Sequence, residues 1–158
     1  MPRSRRSPPL ADACARVPAN AGVRPARTSA PLTPTVLLID DQAAVGHLVE
    51  RQLRAGGYRV IPAASGRDAL AILTQHAATI DLLLTDIMMP GMIGPQLVAV
   101  VQLRWPAVRA MYMTGGAEGW AEQLMRDTGA ACLRKPLTVD ELRAALAAVL
   151  PIPEAGKE

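Results

Sequence analysis

"IDLLLTD", residues 80–86, decides the fold. Apart from Asp81, its first five residues are aliphatic and show no alternation of polar and apolar positions. A strand exposed on one side alternates; a strand covered on both faces does not, and such strands belong to parallel sheets sandwiched by helices. The loop "IMMPGMIG" (87–94) follows, then a helix from about Pro95 to Leu103.

The same reading extends in both directions. Upstream, "TVLLID" (35–40) is a strand, Gln42 to Ala55 a helix stopped by Gly56-Gly57, and "YRVIP" (58–62) a strand whose Pro62 suits an edge. Ser65 caps a helix running to about Ala77. Downstream come strand 107–114 ("AVRAMYMT"), helix "AEGWAEQLMRDTG", strand "ACLRK" (131–135), and a last helix, "VDELRAALAAVL", capped by Thr138 and stopped by Pro151. Five strands alternating with five helices predict an α/β fold, a doubly wound five-stranded parallel sheet.

Composition sets the bounds. The chain has 158 residues, is 50% hydrophobic and 20% charged, and has no apolar run near the ~20 residues that span a bilayer. Phe is absent, so the core must be aliphatic and base stacking is poorly supplied. Cys14 and Cys132 suggest neither a disulfide framework nor metal spacing, and no secretory signal is evident, so the expected compartment is the cytoplasm. Residues 1–34 hold six arginines against Asp12 and carry +5, leaving residues 35–158 at −2. We expect 1–34 to be a disordered Arg/Pro/Ala-rich arm without specific nucleic-acid recognition, 35–150 the folded domain, and 151–158 a short tail.

Chemistry gathers at one end of the sheet. Asp40 and Asp41 end the first strand, Asp86 the third, Thr114 the fourth and Lys135 the fifth. These are all carboxyl ends of parallel strands, where open α/β sheets bind ligands. Each Asp alone reads as a turn residue or helix cap; together the five form a set. Three carboxylates in one pocket suit a hard divalent cation such as Mg²⁺. A cation, a lysine and a hydroxyl around one free carboxylate suit a phosphoryl group, with Asp86 on the central strand as nucleophile.

The motifs "LLIDD", "LLLTDIMMPGMIGPQL", "MYMTGG" and "CLRKPL", in this order from about Thr35 to Leu150, resemble the receiver domain of two-component response regulators, of the stand-alone type. The resemblance implies a flavodoxin-like strand order of 2-1-3-4-5. It implies that Asp86 accepts a phosphoryl group from a sensor histidine kinase or histidine phosphotransfer protein. Asp41, Asp86 and the backbone carbonyl of Met88 would bind Mg²⁺, with Asp40 acting largely through water. Lys135 would pair with phosphoryl oxygens and Thr114 would hydrogen-bond one of them, signalling to an unknown downstream protein; the chain would not be an enzyme acting on other substrates. A cis peptide is expected at Lys135-Pro136.

One departure is Cys132, three residues before the lysine, where the family usually places the Phe or Tyr coupled to the Thr. Apolar Met88 and bare Gly116 predict slow self-dephosphorylation. Ala44, Leu48 and Arg51 form one stripe of the first helix and are the candidate kinase-docking strip, with Trp120 a candidate output contact. His47 and His76 read as surface residues. The alternatives are a degenerate receiver acting as a phosphorylation-independent binding module, and a haloacid-dehalogenase-type phosphohydrolase. The latter would need Asp-x-Asp after the first strand, where Gln42 stands.

Overall fold

The computed structural model describes residues 33–116 and 119–150. The chain runs β1 (Thr35–Ile39), α1 (Ala43–Ala55), β2 (Arg59–Ala63), α2 (Gly66–His76) with a 3-10 turn (Ala77–Thr79), and β3 (Leu82–Asp86). It continues through α3 (Gly94–Arg104), β4 (Arg109–Thr114), α4 (Gly119–Thr128), β5 (Ala131–Arg134) and α5 (Val139–Val149). The five strands pair in parallel in the order β2-β1-β3-β4-β5, as the alternation and the resemblance predict.

Period-two geometry splits the apolar strands into two cores. Leu37, Ile39, Leu83, Tyr112 and Cys132 pack with Ala69 and Leu73 of α2 and with Leu97, Val98 and Val101 of α3. Val36, Leu38, Leu82, Leu84, Met111 and Met113 pack with Val49 and Leu53 of α1 and with Leu142 and Leu146 of α5. The unbroken apolar run of β3 is thereby accounted for: Leu82, Leu83 and Leu84 are each fully buried, on alternating faces. Ser65 Oγ accepts from Asp68 N (3.1 Å) and Thr138 Oγ1 from Glu141 N (3.2 Å), so both expected caps form.

Several boundaries shift for identifiable reasons. The third strand starts at Leu82 rather than Ile80, because Asp81 serves as a joint: its Oδ2 accepts from Thr35 N (2.9 Å) and its carbonyl from Arg109 N (3.1 Å). The expected arm of residues 1–34 lies outside the described residues up to 32. Its last residue, Pro34, is instead part of the framework, buried and accepting from Arg59 N at 3.0 Å. The tail 151–158 also lies outside the described residues. Among the described residues no helix is long and apolar enough to cross a membrane.

Candidate functional site

Three strand ends deliver the acidic cluster. β1 turns into α1 through Asp40, whose Oδ1 accepts from Gln42 N (2.9 Å). That bond turns the Asp40 carboxylate inward, while Asp41 stays exposed. Asp86, at the end of β3, receives Ile87 N on Oδ1 (2.8 Å). One carboxylate oxygen from each of Asp40, Asp41 and Asp86 lies within 4.8 Å of the others.

Lys135 follows β5 and closes the cluster. Its Nζ donates to Asp40 Oδ2 (3.0 Å) and Asp86 Oδ2 (3.2 Å), with the Asp40 and Asp86 side chains only 1% and 13% exposed. The positive charge that adjacent acids require is therefore supplied first by a lysine. Three carboxylates against one ammonium still leave an excess of negative charge, and an all-oxygen donor set fits a hard divalent cation. Burial pushes the Asp86 carboxyl up; the Lys135 charge and hydrogen bond oppose this, and Asp40 adds to the rise. Burial works to lower Lys135, but its bonds and charge pairing with Asp40 and Asp86 prevail and hold it above its ordinary value.

Thr114, 2% exposed at the end of β4, accepts from Gly116 N on Oγ1 (3.0 Å), and its carbonyl accepts from Lys135 N (2.7 Å). The expected cis peptide at Lys135-Pro136 is present.

The loop after Asp86 is held tightly. Gly94 N donates to Ile87 O (2.8 Å), and a Cβ on Gly94 would collide with the Asp86 carbonyl oxygen. Thr85, fully buried, donates from Oγ1 to that same carbonyl (2.9 Å). This accounts for the second glycine of "MPGMIG", whose need for close approach is invisible without the loop's path. Met88 projects from this loop, 42% exposed.

The α1 stripe divides cleanly. Val49 and Leu53 enter the core, whereas Ala44, Leu48 and Arg51 face solvent, Leu48 at 53% exposure. His47 and His76 are exposed. The Trp120 side chain lies outside the described residues.

Cys132 is buried (3%) in the aliphatic core and has no ring to swing. Its register partner on β4 is Tyr112, fully buried, whose hydroxyl shares a 2.8 Å hydrogen bond with Thr128 Oγ1 at the end of α4. Burial pushes the Tyr112 phenol up, with the Thr128 bond opposing. The aromatic tie from sheet to α4 thus comes from β4, two residues before Thr114. Sequence reasoning missed Tyr112 because an aromatic inside a strand reads as ordinary core.

With this geometry in view, comparison with known proteins is specific. The family described as the response regulator receiver domain matches residues 36–147. The chain is 35% identical over 109 residues to the sensor kinase CckA of Brucella abortus (strain 2308), covering 68% of this chain but only 12% of that protein. It is 31% identical over 118 residues to sporulation initiation phosphotransferase F of Bacillus subtilis (strain 168), covering 74% of this chain and 94% of that one. Among solved structures, the chemotaxis protein CheY4 of Vibrio cholerae superposes with a TM-score of 0.68 at 30% identity, covering 75% of this chain and 100% of that one. The receiver domain of the hybrid histidine kinase CckA superposes at 0.62 and 34%, covering 73% and 98%. Fold, match and relatives agree: this chain belongs to the response regulator receiver domain family.

Proposed function

We propose that Asp86 is a phosphoryl acceptor, loaded from the phosphohistidine of a sensor histidine kinase or histidine phosphotransfer protein. The observation that carries this reading is the meeting of Asp86 with Lys135 at 3.2 Å, beside two further carboxylates, at the carboxyl rim of the sheet. A carboxylate oxygen of Asp86 forms the new bond to phosphorus as the P–N bond of the donor breaks, and the electron pair of that bond stays on the departing imidazole nitrogen.

Asp41, Asp86 and the Met88 carbonyl, with Asp40 acting through water, would hold Mg²⁺; when bound, it supplies charge neutralisation for the phosphoryl oxygens. The chain's own groups do the rest. The Lys135 ammonium can turn from the Asp86 carboxylate to a phosphoryl oxygen. The Thr114 hydroxyl accepts from Gly116 N through its lone pair, which leaves its own proton to donate to another phosphoryl oxygen.

The chain would act by protein–protein contact in the cytoplasm, not by turning over other substrates. The exposed strip Ala44, Leu48 and Arg51, beside the rim on α1, is a fitting place for the donor to dock. Met88 and Gly116 offer no polar side chain to orient an attacking water, which supports slow loss of the phosphoryl group.

The test is direct. Incubation with Mg²⁺ and labelled acetyl phosphate is expected to give one alkali-labile label, lost in Asp86→Asn and decaying slowly after the donor is removed. A wild-type chain that stays unlabelled by both acetyl phosphate and a phosphorylated histidine donor would overturn the reading.

A further inference from the structure

Gln52, near the end of α1, makes an unusual bargain. Its Nε2 donates to the Leu137 carbonyl at 2.6 Å, joining segments 85 residues apart. A carbonyl can only accept, so this bond fixes which way the amide faces. The other end of the amide is then stranded: Gln52 Oε1 is buried and has no hydrogen-bond partner, alone in this among the buried side-chain nitrogen and oxygen atoms of the described residues. A stranded acceptor costs stability that an aliphatic side chain would avoid. What the amide supplies instead is a fixed point on the loop after β5.

That loop carries Lys135. The Lys135 N–H is tied to Thr114 O at 2.7 Å, and two residues later the Leu137 carbonyl is tied to Gln52. Exposed Pro136 lies between these ties and has no N–H to give. Leu137 itself is buried with Val49, Leu53, Leu142 and Leu146. Meanwhile Gln42 N, at the first end of α1, donates to the Asp40 carboxylate that Lys135 Nζ reaches at 3.0 Å. One helix therefore holds the acidic partner at its start and the lysine's loop near its finish.

We propose that Gln52 is a positioning residue that sets the reach of Lys135 into the acidic cluster. The role rests on the phosphoryl-acceptor reading for its reaction, but the placement of the amine can be measured independently.

Gln52→Met keeps the length and removes donor and acceptor together; Gln52→Lys restores a donor. The chain contains only two lysines, Lys135 and Lys157, so 13Cε-lysine labelling of the full chain gives two side-chain signals, assigned with Lys157→Arg. In Gln52→Met we expect Tm within about 3 °C of wild type, because one stranded acceptor is exchanged for another. Mg²⁺ binding by calorimetry should stay within about twofold, while labelling from acetyl phosphate slows about tenfold and the Lys135 signal moves toward that of a solvated lysine. Gln52→Lys, whose added lysine gives a third signal identified by its absence from Gln52→Met, should recover most of the rate and return the Lys135 signal.

An unmoved Lys135 signal in Gln52→Met would overturn the inference, whether the rate is unchanged or falls together with Tm. If the wild-type chain takes no label, the phosphoryl reading fails, and the Lys135 signal still decides whether Gln52 positions the amine.

Discussion

Leu37 and Leu83, in the interior of the sheet, reach complete burial by packing against helices. Three residues further along the same two strands, Asp40 and Asp86 sit beside each other and share one lysine. In the interior these aliphatic side chains add to stability by leaving water. At the rim, like charges are crowded, and burial pushes the Asp86 carboxyl up. The contrast teaches that the aliphatic interior carries the strain of the rim, so truncating an interior side chain should destabilise whereas neutralising a crowded rim carboxylate should not.

The largest effect should come from the interior. Leu83→Ala is expected to cost about 2–5 kcal/mol in urea unfolding, while the fraction that remains folded still accepts phosphoryl groups. Lys135→Met comes next. It leaves the Asp40 and Asp86 carboxylates without their shared cation, and we expect a loss of roughly 1–3 kcal/mol, moderated because the Lys135 side chain is 17% exposed, with labelling nearly abolished.

Tyr112→Phe should cost about 1 kcal/mol at neutral pH through the lost bond to Thr128. It should also alter the alkaline limb. The Tyr112 phenol is raised in the fold, so its contribution is intact below its ordinary value of 10 and is lost as pH rises through the higher folded value. The phenylalanine variant should therefore lose stability less steeply above pH 10.

Asp86→Asn should have the smallest effect and the opposite sign. A carboxyl raised in the fold binds its proton more tightly there than in the unfolded chain. Its contribution is therefore most favourable below the ordinary value of 3.8 and fades as pH rises through the raised folded value. At neutral pH the ionised group is a burden, and the amide variant should be slightly more stable than wild type while taking up no label. A destabilised Asp86→Asn would mean that the rim is not strained.

Legibility in the sequence followed the range of the interactions. Strand and helix order came from local period: unbroken in β3, and closed by Gly56-Gly57 after α1. The five rim residues were legible because each ends a strand, and parallel topology brings those ends together without any contact needing prediction. Contacts between distant segments were not legible. Nothing near Asp81 announces that it joins β1 to β4, and nothing near Gln52 announces Leu137. Tyr112 looks like any core aromatic until its hydroxyl is seen against Thr128. Ala44 and Leu48 illustrate the converse, since the stripe read from helical spacing faces solvent while Val49 and Leu53 occupy the core face.

The acceptor itself offers the most direct measurement. After exposure to Mg²⁺ and acetyl phosphate, borohydride reduction converts an aspartyl phosphate to homoserine, and peptide mass spectrometry locates the change. The account predicts homoserine at position 86 and at no other aspartate. Reduction at Asp40 or Asp41 in place of Asp86, or at none of the three with a phosphorylated histidine donor supplied as well, would contradict it.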